Sequence, residues 1–272
     1  MIKFSRSTVL AGLILMSLGF NAQAVDEKLT LTGSSTIAPL ALEMAKYYEK
    51  KHPGVRIDVQ TGGSSRGIND ARKGLADIGM VSRTLNDEEK DLKSFMIAKD
   101  GIALILHKKN EVASLTNEQI VNIYTGKIKN WKEVGGKDAA IVIVNKAEGR
   151  STLELFLHYF KLKNSDIKAS VIAGDNEQAV KTVAGSPNSI GYVSIGTAEY
   201  DSNHGVAIKL LPMNGIPASI ETVKTDKFPL SRVLNLVTKA EPTGLQKKFI
   251  EFAQSKEAFD LIKKEYFVPI EK

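Results

Sequence analysis

The sequence predicts an α/β protein of two lobes that share crossing strands. Three observations lead there. Short apolar strands alternate with amphipathic helices along the chain. Strand ends run repeatedly into a small polar turn and then a helix. No low-complexity linker or internal repeat breaks the 272 residues into separate beads, so lobes joined by shared strands fit better than tethered domains.

The elements follow in order. Leu29-Thr30-Leu31-Thr32 alternates and stops at Gly33. A helix is expected from Pro39 to Lys50, with Ile37, Leu40, Met44 and Tyr47 on one face and Pro53-Gly54 closing it. Val55, Ile57 and Val59 alternate in the next strand, which ends at Gly62-Gly63. The following helix runs to Lys73, with Gly74 just past its end. Ile78–Val81 is a strand ending at Ser82-Arg83. Gly101–His107 is a continuous apolar strand, and Ile141–Val144 is another, ending in a turn at Gly149. Leu153, Phe156, Leu157 and Phe160 then recur at helical spacing. Ile190–Ile195 reads as a buried strand, and Pro242–Tyr266 as mostly helical.

The N-terminus has the layout of an export signal. Lys3 and Arg6 precede an apolar run from Val9 to Phe20, and Ala22-Gln23-Ala24 supplies a small-x-small cleavage pattern. Cleavage is expected after Ala24, and the product is expected to be periplasmic. The run is shorter than the roughly 20 residues of a membrane-spanning helix. No Cys follows it, so no lipid anchor is expected. Loss of Lys3 and Arg6 takes the formal charge from +6 to +4. That balance is too mild to suggest nucleic acid, though it would favour an anion. With no cysteine in the chain, disulfides, thiol catalysis and thiolate metal sites are excluded. His52, His107, His158 and His204 lack metal-ligand spacing, so no metal or cofactor is expected. No serine can be paired with a His–Asp couple from the sequence, which argues against an enzyme. Trp131, after Lys127, Lys129 and Asn130, reads as a packed turn, and Tyr192 as core.

The polar turns carry the chemistry. They are Gly33-Ser34-Ser35-Thr36, Gly62-Gly63-Ser64-Ser65, Ser82-Arg83 and Glu148-Gly149-Arg150-Ser151-Thr152. Ligands of open α/β sheets bind beyond the carboxyl ends of the strands. Helix N-termini there offer free N–H groups and the positive end of the dipole, hydroxyls add donors, and arginine adds a planar fork suited to phosphate. Taken singly, each turn is an ordinary helix cap. Together they predict a site for a tetrahedral oxyanion. Arg83 is a candidate ligand, with a salt bridge as its other reading. The spacing fits neither a nucleotide-binding P-loop nor a dinucleotide fingerprint.

These turns resemble those of the phosphate-binding proteins of bacterial phosphate ABC transporters, the PstS family. The resemblance covers essentially the whole chain after residue 24. It rests on Leu31–Thr36, Gly63-Ser64-Ser65-Arg66-Gly67, Asp77–Arg83, Ile123–Trp131 with Gly135-Gly136, Ser189–Val193 and the Phe267-Val268-Pro269-Ile270 ending. It implies a type II periplasmic-binding-protein fold whose lobes close on the ligand. The first crossing is then expected near Leu106 to Lys108 and the return near Ile195 to Tyr200. That divides the chain into residues 1–24 (signal), 25–106 (first part of lobe 1), 107–196 (lobe 2) and 197–272 (completion of lobe 1). The resemblance implies Ser35, the amide of Thr36, Ser64, Ser82, Ser151 and Thr152 as phosphate ligands. It also implies a membrane permease as partner, and a monomer.

The fourth turn departs from the family pattern. Lysine stands at 146 where arginine is common, and Arg150 stands where a ligand serine is common. Either Arg150 takes over the guanidinium role or the site takes a different anion, such as arsenate, sulfate or molybdate. A carboxylate facing the anion would accept the proton that phosphate keeps and sulfate lacks. Glu148, the only carboxylate inside these turns, is the candidate for that selectivity, with helix-end stabilisation as its other reading. An exported adhesin or signalling module and a phosphatase are the competing functions.

Overall fold

The computed structural model describes residues 27–270; the export signal expected at 1–24 lies outside them. The chain begins with β1 (Glu27–Gly33), α1 (Ala38–Lys51), β2 (Val55–Thr61), α2 (Ser64–Lys73) and β3 (Ile78–Val81). A long β4 (Lys93–His107) leads to α3 (Asn117–Tyr124), β5 (Val142–Lys146), α4 (Ser151–Phe160), β6 (Val171–Ala173) and α5 (Asn176–Ala184). Then come β7 (Ser189–Ser194), α6 (Ile195–Asn203), β8 (Ile208–Leu210) and α7 (Ile220–Lys224). The chain ends with β9 (Ser231–Thr238), α8 (Gly244–Ala253), α9 (Phe259–Lys264) and β10 (Val268–Pro269). The α/β class expected from the sequence is the class observed.

The strand order is β2-β1-β3-β9-β4-β7-β5-β6. Parallel pairing holds β2, β1 and β3 together, whereas β9 joins β3 antiparallel. The fifteen residues of β4 change partner partway. Lys93–Gly101 pair with β9, and Ile102–Leu106 pair with β7. Two apolar cores flank that point. One gathers Leu31, Met44, Ile78, Leu234 and Phe249; the other gathers Leu104, Tyr124, Trp131, Phe156 and Tyr192.

The crossing therefore differs from the sequence expectation. The partner change falls at Gly101–Ile102, ahead of Leu106–Lys108. Residues 195–200, expected to return to the first lobe, lie in α6. The Ser194 hydroxyl accepts from the Thr197 N–H there at 3.4 Å, and this cap converts the end of β7 into a helix. The return is made instead by β9, and the Ile102 N–H donates to the Leu230 carbonyl at 3.0 Å beside it.

Helix α1 shows why the local sequence folds as it does. Ala38, Leu40, Ala41, Met44, Ala45 and Tyr48 are buried at helical spacing, each large one contributing about 1.5–3 kcal/mol. Tyr48 holds the core position expected for Tyr47, which is half-buried and stacks on Phe252 with ring centroids 5.6 Å apart. Helix α2 lies against the first sheet so closely that a Cβ on Gly67 would sit 2.8 Å from the Met80 and Thr32 carbonyl oxygens. That close approach brings the N-terminus of α2 to the ends of β1 and β3.

Candidate functional site: hydroxyls between two lobes

The first lobe brings three strand ends together. Ser34 follows β1; its N–H donates to the Met80 carbonyl at 2.9 Å. The Ser34 hydroxyl accepts from the N–H groups of Thr36 and Ile37 at 3.2 and 3.4 Å and donates to Ser82 Oγ at 2.9 Å. Ser64 opens α2 and accepts from the Ser82 N–H at 3.2 Å. Gly63, just before α2, has φ +95°, and a Cβ there would meet the Gly149 carbonyl at 2.4 Å. Only glycine lets the two lobes approach so closely at this point.

The second lobe answers with the start of α4. Ser151 Oγ lies 3.0 Å from Ser64 Oγ and 2.6 Å from Ser82 Oγ. Ser34, Ser35, Thr36, Gly63, Ser64, Ser82, Arg150, Ser151 and Thr152 line one small cavity. Seven of the nine residues read from the sequence as candidate ligands are thus brought together: Ser35, Thr36, Ser64, Ser82, Arg150, Ser151 and Thr152. The structure adds Ser34, which is fully inside where Ser35 is partly exposed.

Arg83 and Glu148 are not brought to the cavity. The Arg83 guanidinium turns away from Ser82 and is taken up by Glu89 at 2.6 and 2.9 Å and by Glu154 at 2.5 Å. Its salt-bridge reading is the one the geometry favours, because two carboxylates compensate its burial. Glu148 is exposed, and its Oε1 accepts from Asn164 Nδ2 at 3.0 Å. The Gly149 turn points that side chain outward while placing Arg150 inward.

Arg150 is the least satisfied group of the site. Its Nε and Nη1 are buried and have no hydrogen-bond partner among the described residues. Unpaired buried donors cost about 1–3 kcal/mol, more when charged. Such a guanidinium beside a hydroxyl cluster is poised for an anion.

Arg232, Asp100 and Asn176, which sequence reasoning did not select, complete the surroundings together with Lys146. Arg232 in β9 donates from Nη2 to Thr36 Oγ1 at 3.0 Å and from Nη1 to Thr152 Oγ1 at 3.1 Å. It sits opposite Asp100 of β4 in register, and the two form an ion pair at 2.8 Å with side chains 1% and 0% exposed. Asp100 also accepts from Ser194 Oγ at 2.8 Å and the Gly196 N–H at 3.1 Å. Asn176, at the start of α5, donates to Thr36 Oγ1 at 3.1 Å. Lys146, buried at the end of β5, donates from Nζ to the Asp175 carbonyl at 2.5 Å. Burial pushes its ammonium down to about 7; the Asp175 carboxylate opposes the shift, while Arg232 and Arg150 add to it. Arg150 and Arg232 thus adjoin the hydroxyls, Lys146 is close enough to both to feel their charge, and the Asp100 carboxylate is committed to Arg232.

Elsewhere the structure is plainer. Trp131 is buried and donates from Nε1 to the Asn188 carbonyl at 2.9 Å. Tyr192 stacks on Phe156 with centroids 4.0 Å apart, holding α4 to the second sheet. Gly63-Ser64-Ser65-Arg66-Gly67 matches the letters of a G-x-S-x-G nucleophile turn. Its central Ser65, however, donates to Glu154 Oε1 at 3.2 Å rather than to a histidine. Among the described residues, no three His, Asp or Glu side chains are grouped to hold a metal, and no helix is long and apolar enough to cross a membrane.

Comparison with known proteins places this geometry. A sequence profile of the PBP superfamily domain matches residues 20–257. The phosphate-binding protein PstS of Bacillus subtilis is 30% identical over 233 residues, covering 84% of this chain and 76% of the relative. The phosphate-binding protein PstS of Borreliella burgdorferi is 27% identical over 275 residues, covering 96% and 98%. Among solved structures, a putative phosphate ABC transporter substrate-binding protein from Clostridium perfringens, with phosphate bound, superposes with TM-score 0.83 at 36% identity. It covers 90% of this chain and all of the other. An ABC-type phosphate transport receptor from Vibrio cholerae gives TM-score 0.73 at 29% identity, covering 89% and 100%.

Proposed function

Because the chain belongs to the PBP superfamily, and within it to the PstS family of phosphate-binding proteins, we propose that it captures inorganic phosphate between its lobes and presents it to an ABC transporter permease. The observation that carries the reading is Arg150, whose buried, unpartnered donors face a cavity lined with hydroxyls from both lobes. The protein acts as a binding component, not an enzyme.

In this reading, Ser34, Ser64, Ser82 and Ser151 exchange their mutual hydrogen bonds for bonds to phosphate oxygens. Hydroxyls both donate and accept, so the same set serves phosphate oxygens with and without a proton. The N-termini of α2 and α4 add the positive ends of their dipoles. Arg150 supplies the charge-assisted bonds, and Arg232 orients Thr36 and Thr152 from the hinge. Asp100 and Asn176 are positioning residues. Glu148 has no part in selecting phosphate, and Arg83 does not bind it.

We place the lobes at residues 27–101 with 231–270 and at 102–230, hinged at the adjoining points on β4 and β9. The export signal with cleavage after Ala24, a periplasmic location and a monomeric state belong to the same reading. Calorimetry on ligand-stripped mature protein against phosphate, arsenate, sulfate and molybdate tests it. Phosphate is expected to give saturable heat; heat from sulfate or molybdate alone would overturn the assignment. The mass of the secreted protein tests cleavage at Ala24.

A further inference from the structure

Arg83 lies just past the end of β3 in the first lobe, next to Ser82, and its side chain is 5% exposed. Its own lobe already satisfies most of it. Glu89 takes Nη1 and Nη2, the Thr84 carbonyl accepts from Nη1 at 3.0 Å, and Glu89 is itself fixed by the Asn86 N–H at 2.8 Å. A further donor, Nε, crosses to the second lobe and meets Glu154 Oε2. The other oxygen of Glu154 accepts from Ser65 of α2. One carboxylate of α4 thus engages two residues of the first lobe, and it lies one helical turn from Ser151. Beside it, the Ser65 N–H donates to the Gly149 carbonyl at 3.2 Å, also across the cleft.

We propose that Glu154, received by the Glu89-held Arg83 and by Ser65, is the latch of lobe closure and sets how long a bound anion is retained. The arrangement suits a reversible contact. The desolvation of Arg83 is compensated by Glu89 whether the lobes are open or closed, so opening leaves no buried charge unpaired. Glu154 is 34% exposed and returns readily to water. Closing therefore desolvates only one partly wet carboxylate, and the interaction favours the closed state without locking it. Because Arg83 is bonded in sequence to Ser82, and Glu154 is one turn from Ser151, movement of the site hydroxyls and engagement of the latch are coupled.

The latch rests on the phosphate reading only for the identity of the trapped anion. The test uses Glu154→Gln, which keeps the shape and removes the charge, with Ser65→Ala as a second variant. The natural chain has no cysteine, so Lys50→Cys and Ser165→Cys, exposed and on opposite lobes, accept spin labels specifically. Phosphate dissociation by stopped flow is expected to be three- to tenfold faster in Glu154→Gln with the association rate unchanged, and the interlobe distance distribution without phosphate should shift to longer values. Ser65→Ala should move both in the same direction by less. Unchanged dissociation together with an unchanged distance distribution overturns the latch. If the natural protein gives no phosphate signal while Glu154→Gln still lengthens the interlobe distance, the latch stands and the phosphate reading falls.

Discussion

Replacing Arg232 by methionine separates what the hinge needs from what the site needs. The substitution leaves Asp100 fully buried, still bonded to Ser194 and Gly196 but without a counter-charge. Stranding one member of a buried ion pair costs about 3–5 kcal/mol. For a chain of this size each kcal/mol moves Tm by roughly 2–4 °C, so thermal unfolding without phosphate should fall by about 6–20 °C. Adding Asp100→Asn removes the stranded charge, and most of the loss should be recovered. Affinity should not recover with it. The guanidinium bonds that orient Thr36 and Thr152 are charge-assisted, worth about 1.5–3 kcal/mol, so calorimetry on the double variant should show phosphate binding weaker by about 10- to 150-fold. A double variant no more stable than Arg232→Met would refute the ion-pair argument. A double variant with native affinity would refute the role of Arg232 in the site.

Three further outcomes follow from the geometry. Arg150→Gln should weaken phosphate binding tenfold or more by calorimetry, while Tm without phosphate holds or rises, because unpartnered buried donors are removed. Glu148→Gln should leave the phosphate-to-sulfate ratio unchanged in competition titrations, since that carboxylate is exposed and faces Asn164; a tenfold change would restore it to the site. Lys146 makes binding and stability depend on pH. Its folded value, about 7, lies below the 10.5 of a free lysine, so between these the unfolded chain binds more protons and stability rises with pH. An incoming anion recharges the ammonium. Above pH 7 binding should therefore take up a proton and weaken by up to about tenfold per pH unit. Titrations at about pH 8.5 in buffers of different ionisation heat should reveal the uptake, and Lys146→Met should abolish it.

Much of this was legible in the sequence because glycine and hydroxyl residues mark strand ends. The turns at Gly33, Gly63 and Gly149 located the cavity, and the 3.6-residue rhythm after Gly149 located α4. Register within a turn was less legible. Ser34 and Ser35 are chemically equal letters, and only the packing of Ser34 against Met80 and Ser82 shows which faces inward. Arg83 and Arg232 were harder still. Arg83 adjoins a site serine, yet the bend after β3 turns it onto Glu89. Arg232 lies in Ser231-Arg232-Val233-Leu234-Asn235-Leu236-Val237, far from any glycine turn. The one available signal was a charged residue inside an apolar strand, which must find a buried partner. Its partner Asp100 is similarly concealed, because the apolar run starts at Gly101 whereas β4 begins at Lys93, with a register irregularity at Ile97 that interrupts the alternation.

The two-way pairing of β4 also sets an order for folding as the exported chain emerges. The span between Ile102 and Leu230 is contiguous, so the second lobe can consolidate as soon as that span has crossed the membrane. The first cannot. Strand β3 has its β9 partner only after Ser231 has emerged, and the adjoining core awaits Leu234, Leu236 and Phe249. Throughout that interval β3 presents an open, wholly apolar edge, the kind of surface on which nascent chains pair with one another. The hinge that makes closure possible therefore obliges the emerging protein to carry an unfinished sheet until nearly its last strand, and chaperone contact after export should concentrate on residues 78–81.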